Sequence, residues 1–138
     1  MPHRRENHLA IIAAAAMFWV FGGIWYTALS APWLAATGRT KEQVERYGAV
    51  PFIAAVGLCW LASYAIAKLL SYSPTHNAGR GLQIGVFLGI CIYGTVALMQ
   101  VLFEGRDMML FAIDGGYAVL GMALAGAVIG WMNPGVVA

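Results

Sequence analysis

Charge is missing from long runs of this chain. Leu9 to Leu29 continues for 21 residues without Asp, Glu, Lys or Arg, and Ala49 to Ala67 for 19. Leu82 to Phe103 continues for 22, and Met108 to Met132 covers 25 residues with Asp114 as its single charge. A helix of roughly 20 apolar residues crosses a hydrocarbon core about 30 Å thick while pairing its backbone N–H and C=O groups internally. A transmembrane β-barrel would instead show alternation over segments of about ten residues. Ala13-Ala14-Ala15-Ala16 and Ala123-Leu124-Ala125-Gly126-Ala127 do not alternate. The expected fold class is all-α, an integral membrane four-helix bundle in one domain over residues 1–138. Its expected spans are 9–29, 49–69, 82–103 and 108–132.

Composition excludes the main soluble classes. Hydrophobic residues make up 61% of the chain and charged residues 10%, against about half and about a quarter in a soluble domain. Eight basic and six acidic residues cannot cover a water-facing enzyme surface, and a disordered chain needs the opposite balance. A net charge of +2 on scattered Lys and Arg gives no nucleic-acid footprint. The first run has features of a signal peptide, with Arg4-Arg5 before it and Ala28-Leu29-Ser30 after it. It is longer than the roughly 7–15 residues of a signal core, so it reads as a spanning helix.

The connections are short. In the longest, Ser30 to Gly48, Thr40 and Gln43 form a capping-box pattern for a brief interfacial helix over 40–46. Tyr72 to Arg80 reads as a turn, and Glu104 to Asp107 as a tight charged link. Four crossings put both termini on one side. That side carries Arg4, Arg5, Lys68 and Arg80, and the other carries Arg39, Lys41, Arg46 and Arg106. The positive-inside comparison is level, and Arg4-Arg5 before the first helix tips the expectation toward cytoplasmic termini.

Small residues at helical spacing mark close helix contacts, because lipid tails solvate Leu as well as a neighbouring helix does. Gly81, Gly85 and Gly89 form one stripe, and Gly121, Gly126 and Gly130 supply the last helix. Such stripes serve packing within the bundle or self-association. Cys59 and Cys91 lie mid-segment and read as small packing residues, without disulfide or zinc spacing. His3, His8 and His76 fall on the terminal side in flexible or interfacial places, and none lies inside a span to ligate a haem. No metal and no cofactor is expected.

Polar residues gather on the side away from the termini. Topology brings Trp25, Tyr26 and Trp33 toward Gln100, Glu104, Arg106, Asp114 and Tyr117. Asp114 lies seven residues beyond Asp107, about 10 Å along a helix. An ionisable group inside a span is costly and is a functional hypothesis by default. Ala118, Gly121 and Ala125 share its helix face, which points that face at another helix. Asp114 is thus either a satisfied structural carboxylate or a working one.

Two local patterns carry a family resemblance. The first is Gly22-Gly23-Ile24-Trp25-Tyr26, followed by Pro32-Trp33 and Gly38. The second is Leu102-Phe103-Glu104-Gly105-Arg106, followed by Ile113-Asp114-Gly115-Gly116-Tyr117. Together, over about Ala16 to Trp131, the chain resembles the bacterial membrane family called domain of unknown function 1761. Many members place a basic pair before the loop Trp, where this chain has Ala31-Pro32. The resemblance implies four helices in a bacterial cytoplasmic membrane and supplies no reaction. The expected function is an accessory or structural subunit, partnered by the lipid bilayer and by a second copy or a larger membrane complex. The alternatives are a proton-coupled transporter using Asp114, and a membrane enzyme built on Asp114 and Glu104.

Overall fold

The computed structural model describes residues 7–133 and 135–136. Arg4, Arg5 and His3 lie outside the described residues. Four stretches are long and apolar enough to cross a membrane: His8–Ala28, Val50–Ser71, Ala78–Glu104 and Met108–Met132. The chain is a multi-pass, all-α membrane protein.

Caps fix most of the helix ends. Helix α1 (His8–Ala28) begins where the Asn7 side chain accepts from the N–H groups of Leu9 and Ala10. Leu29, at φ −105° and ψ 19°, separates it from α2 (Ser30–Thr37), a helix where the sequence predicts a connection. Pro32 hides it from sequence inspection, yet in a first turn proline removes only an N–H that would be unpaired anyway. Gly38, at φ 66°, closes α2. The short α3 (Lys41–Glu45) carries the full capping box between Thr40 and Gln43.

After α4 (Val50–Ser71), the turn holds a two-residue strand, β1 (Thr75–His76). His76 is buried in this turn: it is 5% exposed, and its Nε2 has no hydrogen-bond partner among the described residues. Asn77 then caps α5 (Ala78–Leu88) by accepting from Arg80 N–H at 2.8 Å. The third span therefore starts four residues before the expected position. It continues through a π-helical segment, Gly89–Gly94, into α6 (Thr95–Glu104). Gly105, at φ 68°, ends α6, and Asp107 caps α7 (Met108–Met132). Strand β2 (Gly135–Val136) pairs antiparallel with β1.

The core lies toward the termini. Ile11, Ala14, Ala15 and Phe18 of α1 meet Cys59, Ile66, Ala67 and Leu70 of α4 and Ala125 and Ile129 of α7. The closest helix pair is α5 against α7. A Cβ on Gly81 would strike the Gly126 carbonyl, and one on Gly126 would strike the Gly81 carbonyl. Gly85 faces the Met122 carbonyl and Gly130 the Asn77 carbonyl in the same way, and Gly89 lies 2.7 Å from Val119 Cα by that measure. Only glycine permits this backbone-to-backbone crossing. The stripe is consumed inside the chain, which removes the sequence argument that it serves a second copy. Cys59 is buried in the core, whereas Cys91 is exposed, and both are free thiols.

Candidate functional site

At the other end, α1 and α7 interlock through their two local patterns. Gly22, Trp25 and Tyr26 share one face of α1 at spacings of three and four. Gly22 makes room for the Tyr117 ring: a Cβ there would lie 2.9 Å from the Tyr117 hydroxyl. In the reverse direction, Gly116 makes room for Trp25, whose ring would be 2.9 Å from a Cβ at that position. Each helix supplies a glycine that seats the other helix's aromatic ring.

Two hydrogen bonds fasten the joint. Trp25 Nε1 donates to the Ile113 carbonyl at 3.0 Å, and Tyr26 Oη donates to Asp114 Oδ1 at 2.8 Å. Asp114 is half-buried, and its Oδ2 has no hydrogen-bond partner among the described residues. Tyr26 meets Tyr117 edge-on at 5.2 Å and Trp33 of α2 edge-on at 6.1 Å. Tyr117 also packs on Phe18 at 5.1 Å and Phe21 at 6.1 Å, and its hydroxyl is 3.7 Å from Cys59 Sγ. Offset and edge-on ring pairs of this kind stabilise beyond the area they bury, by about 0.5–1.5 kcal/mol.

The structure brings Trp25, Tyr26, Trp33, Asp114 and Tyr117 together and leaves three expected members out. Glu104 pairs with Arg106, 2.8 Å away and two residues along the exposed link. Gln100 is half-buried on α6 and has no hydrogen bond to the cluster among the described residues. The shared membrane side is all that topology gives for these three; Gly105, at φ 68°, ends α6, and Arg106 satisfies Glu104 locally. Among the described residues no hydrogen bond joins Asp114 to Glu104.

One neighbour escaped sequence reading. Tyr93, in the π-helical segment, lies within electrostatic reach of Tyr26, Asp114 and Arg106. A π turn shifts the register of the side chains after it, and such turns recur at functional sites. The two glycines that bound it, Gly89 and Gly94, are the only trace it leaves in the sequence.

The chemistry available is that of an ionisable carboxylate with one oxygen engaged, framed by aromatic rings within a membrane. It can exchange a proton or hold a cation. Among the described residues, no three of His, Cys, Asp or Glu gather as metal ligands. Comparison with the curated proteins gives no match, and comparison with solved structures gives none. A family model does match, over residues 9–130, which contain all four spans apart from their outermost residues. The chain belongs to the family described as protein of unknown function, DUF1761.

Proposed function

We propose that the protein is a small proton-coupled carrier of the bacterial cytoplasmic membrane, with both termini cytoplasmic and the Tyr26–Asp114 pair as its working centre. The observation that carries this reading is the 2.8 Å hydrogen bond between two spanning helices, which leaves the second carboxylate oxygen available. Ionisable groups inside spans are retained where they move ions, protons or ligands. Trp33, Tyr26 and Tyr117 form an aromatic cluster around the Tyr26–Asp114 pair, which suits a hydrophobic cation.

The test uses the full-length protein in mild detergent with tetraphenylphosphonium as an aromatic cation probe. Binding should release protons from the wild type. Asp114→Asn, which keeps the shape and an acceptor oxygen, should lose both the binding and the release while remaining folded. Equal binding by the wild type and Asp114→Asn overturns the reading.

A second reading, an accessory subunit in a homo-oligomer or a larger membrane complex, is favoured by one feature. The first half of α4, through Leu58, has no buried residue, and α6 buries only Ala97. Those faces would take a partner helix. Co-purification in fixed stoichiometry, with loss of the partner on Ile53→Ser or Leu102→Ser, supports this reading over the first.

A further inference from the structure

The loop that joins the first two spans carries a second polar feature, unconnected to Asp114. Gly38, Arg39, Gln43, Arg46 and Tyr47 line an open cleft of about 500 Å³. Gln43 lies on α3, and Arg46 and Tyr47 follow in the turn that closes it, three and four residues on. The acids of this helix lie apart: Glu45 pairs with Lys41 at 3.7 Å, and neither Glu42 nor Glu45 lines the cleft. Arg39 and Arg46 have no carboxylate partner among the described residues. Two guanidinium groups thus line a cleft to which the described residues contribute no carboxylate.

Local structure holds these groups in place. The Arg39 guanidinium lies 5.9 Å above the Tyr47 ring, a cation–π distance. Gln43 Oε1 accepts from Thr40 N–H at 2.9 Å, which leaves the Gln43 amide N–H₂ as a donor. Gly38 and Gly48, at φ 66° and 58°, set the turns on either side of α3. Arg46 precedes the span that begins at Val50 by four residues, which puts the cleft at headgroup depth. Immediately below it, Val50, Phe52 and Ile53 are exposed and face acyl chains.

We propose that this cleft binds the phosphate of an anionic phospholipid headgroup, gripped by Arg39 and Arg46 with Gln43 as a neutral donor. Arginine is suited to this because its planar fork donates two parallel hydrogen bonds to one phosphate. The lipid source is favoured over a soluble phosphate because the cleft opens directly above a lipid-facing apolar surface. Each basic group near an anionic surface adds to lipid attraction.

The test is native mass spectrometry of the full-length protein in mild detergent, titrated with phosphatidylglycerol, phosphatidylcholine or inorganic phosphate. Phosphatidylglycerol should be retained in preference to phosphatidylcholine, and inorganic phosphate should not displace it. Arg39→Gln/Arg46→Gln should weaken phosphatidylglycerol retention roughly tenfold or more. Lys41→Gln, outside the cleft, should leave it within about twofold of wild type. All three substituted side chains are solvent-exposed, so an unchanged melting temperature verifies folding. Equal retention of both lipids, full displacement by inorganic phosphate, or undiminished retention by the double variant each overturns the proposal. An equal loss in Lys41→Gln also overturns it, by showing a diffuse charge effect without a site.

Discussion

The two ends of this bundle are built on different principles. Toward the termini, α5 and α7 cross backbone to backbone on Gly81, Gly85, Gly126 and Gly130, and α1 and α4 close over them with Ile11, Ile66, Leu70 and Ile129 almost fully buried. Toward the α2–α3 side, α1 and α7 meet through aromatic rings and two side-chain hydrogen bonds, Trp19 Nε1 of α1 donates to the Phe52 carbonyl of α4 at 3.1 Å, and α6 buries only Ala97. One end is fixed by shape, with little polar chemistry beyond Ser63 and the His76 turn. The other is held by polar groups and contains the ionisable centre. In lipid, where apolar burial does not drive helix association, the first end relies on backbone contact and the second on glycine-seated rings and hydrogen bonds.

This contrast yields graded predictions. The largest effect belongs to the glycine crossing. Gly85→Leu forces a side chain into the Met122 carbonyl and should destabilise by about 3 kcal/mol or more. It should appear as lost monodisperse protein after detergent extraction. A variant that elutes and melts as the wild type does would show that the crossing is not close.

At the polar end the cost should be smaller and specific. Tyr26→Phe removes the donor and leaves Asp114 Oδ1 without it, for about 1–3 kcal/mol. Asp114→Asn keeps an acceptor oxygen and should cost less than Tyr26→Phe. Thermal melts of both variants and of the double variant separate the pair energy from the loss of either group alone. Independence of the two substitutions would deny the hydrogen bond a role.

Smaller again is the capping box of α3. Thr40→Ala should cost the short helix about 1 kcal/mol and leave the melting of the bundle unchanged, as read by amide exchange at Gln43. Least of all is the effect of pH on that helix. The Glu42 backbone N–H and the Thr40 side chain hold the Glu42 carboxyl below its ordinary range. A lowered folded value contributes stability above the unfolded value and loses it as pH falls through the folded one. Acidification below the usual carboxylate range should therefore speed exchange in α3 slightly. Faster exchange on raising the pH through that range, beyond the intrinsic base catalysis of exchange, would contradict the assignment.

How far the sequence discloses this molecule depends on whether the signal is local. Uncharged runs and caps are local, so the four spans and the Thr40–Gln43 box are legible. The glycine stripe is visible too, but its partner is not: spacing reveals a close approach without saying to which helix. Helix α2 hides behind Pro32, whose effect depends on its place in the first turn. The π-helical segment depends on how Gly89 seats against Val119, a tertiary fact, and Tyr93 was missed with it. Glu104 was placed with Asp114 because topology gives only the membrane side. The rest was settled by its ion pair with Arg106. The reciprocal seats, Gly22 for Tyr117 and Gly116 for Trp25, join residues more than ninety positions apart, and neither pattern alone points to the other.

The central claim is that Asp114 is an exchanging carboxylate mounted on a rigid scaffold. Infrared difference spectroscopy of the full-length protein in liposomes, titrated with acid and base, tests it directly. The account predicts a reversible carboxyl band, absent from Asp114→Asn and shifted in Tyr26→Phe, with helical amide bands unchanged throughout. A carboxyl that stays in one protonation state over the whole pH range in which the protein remains folded would contradict the claim and make Asp114 a structural residue.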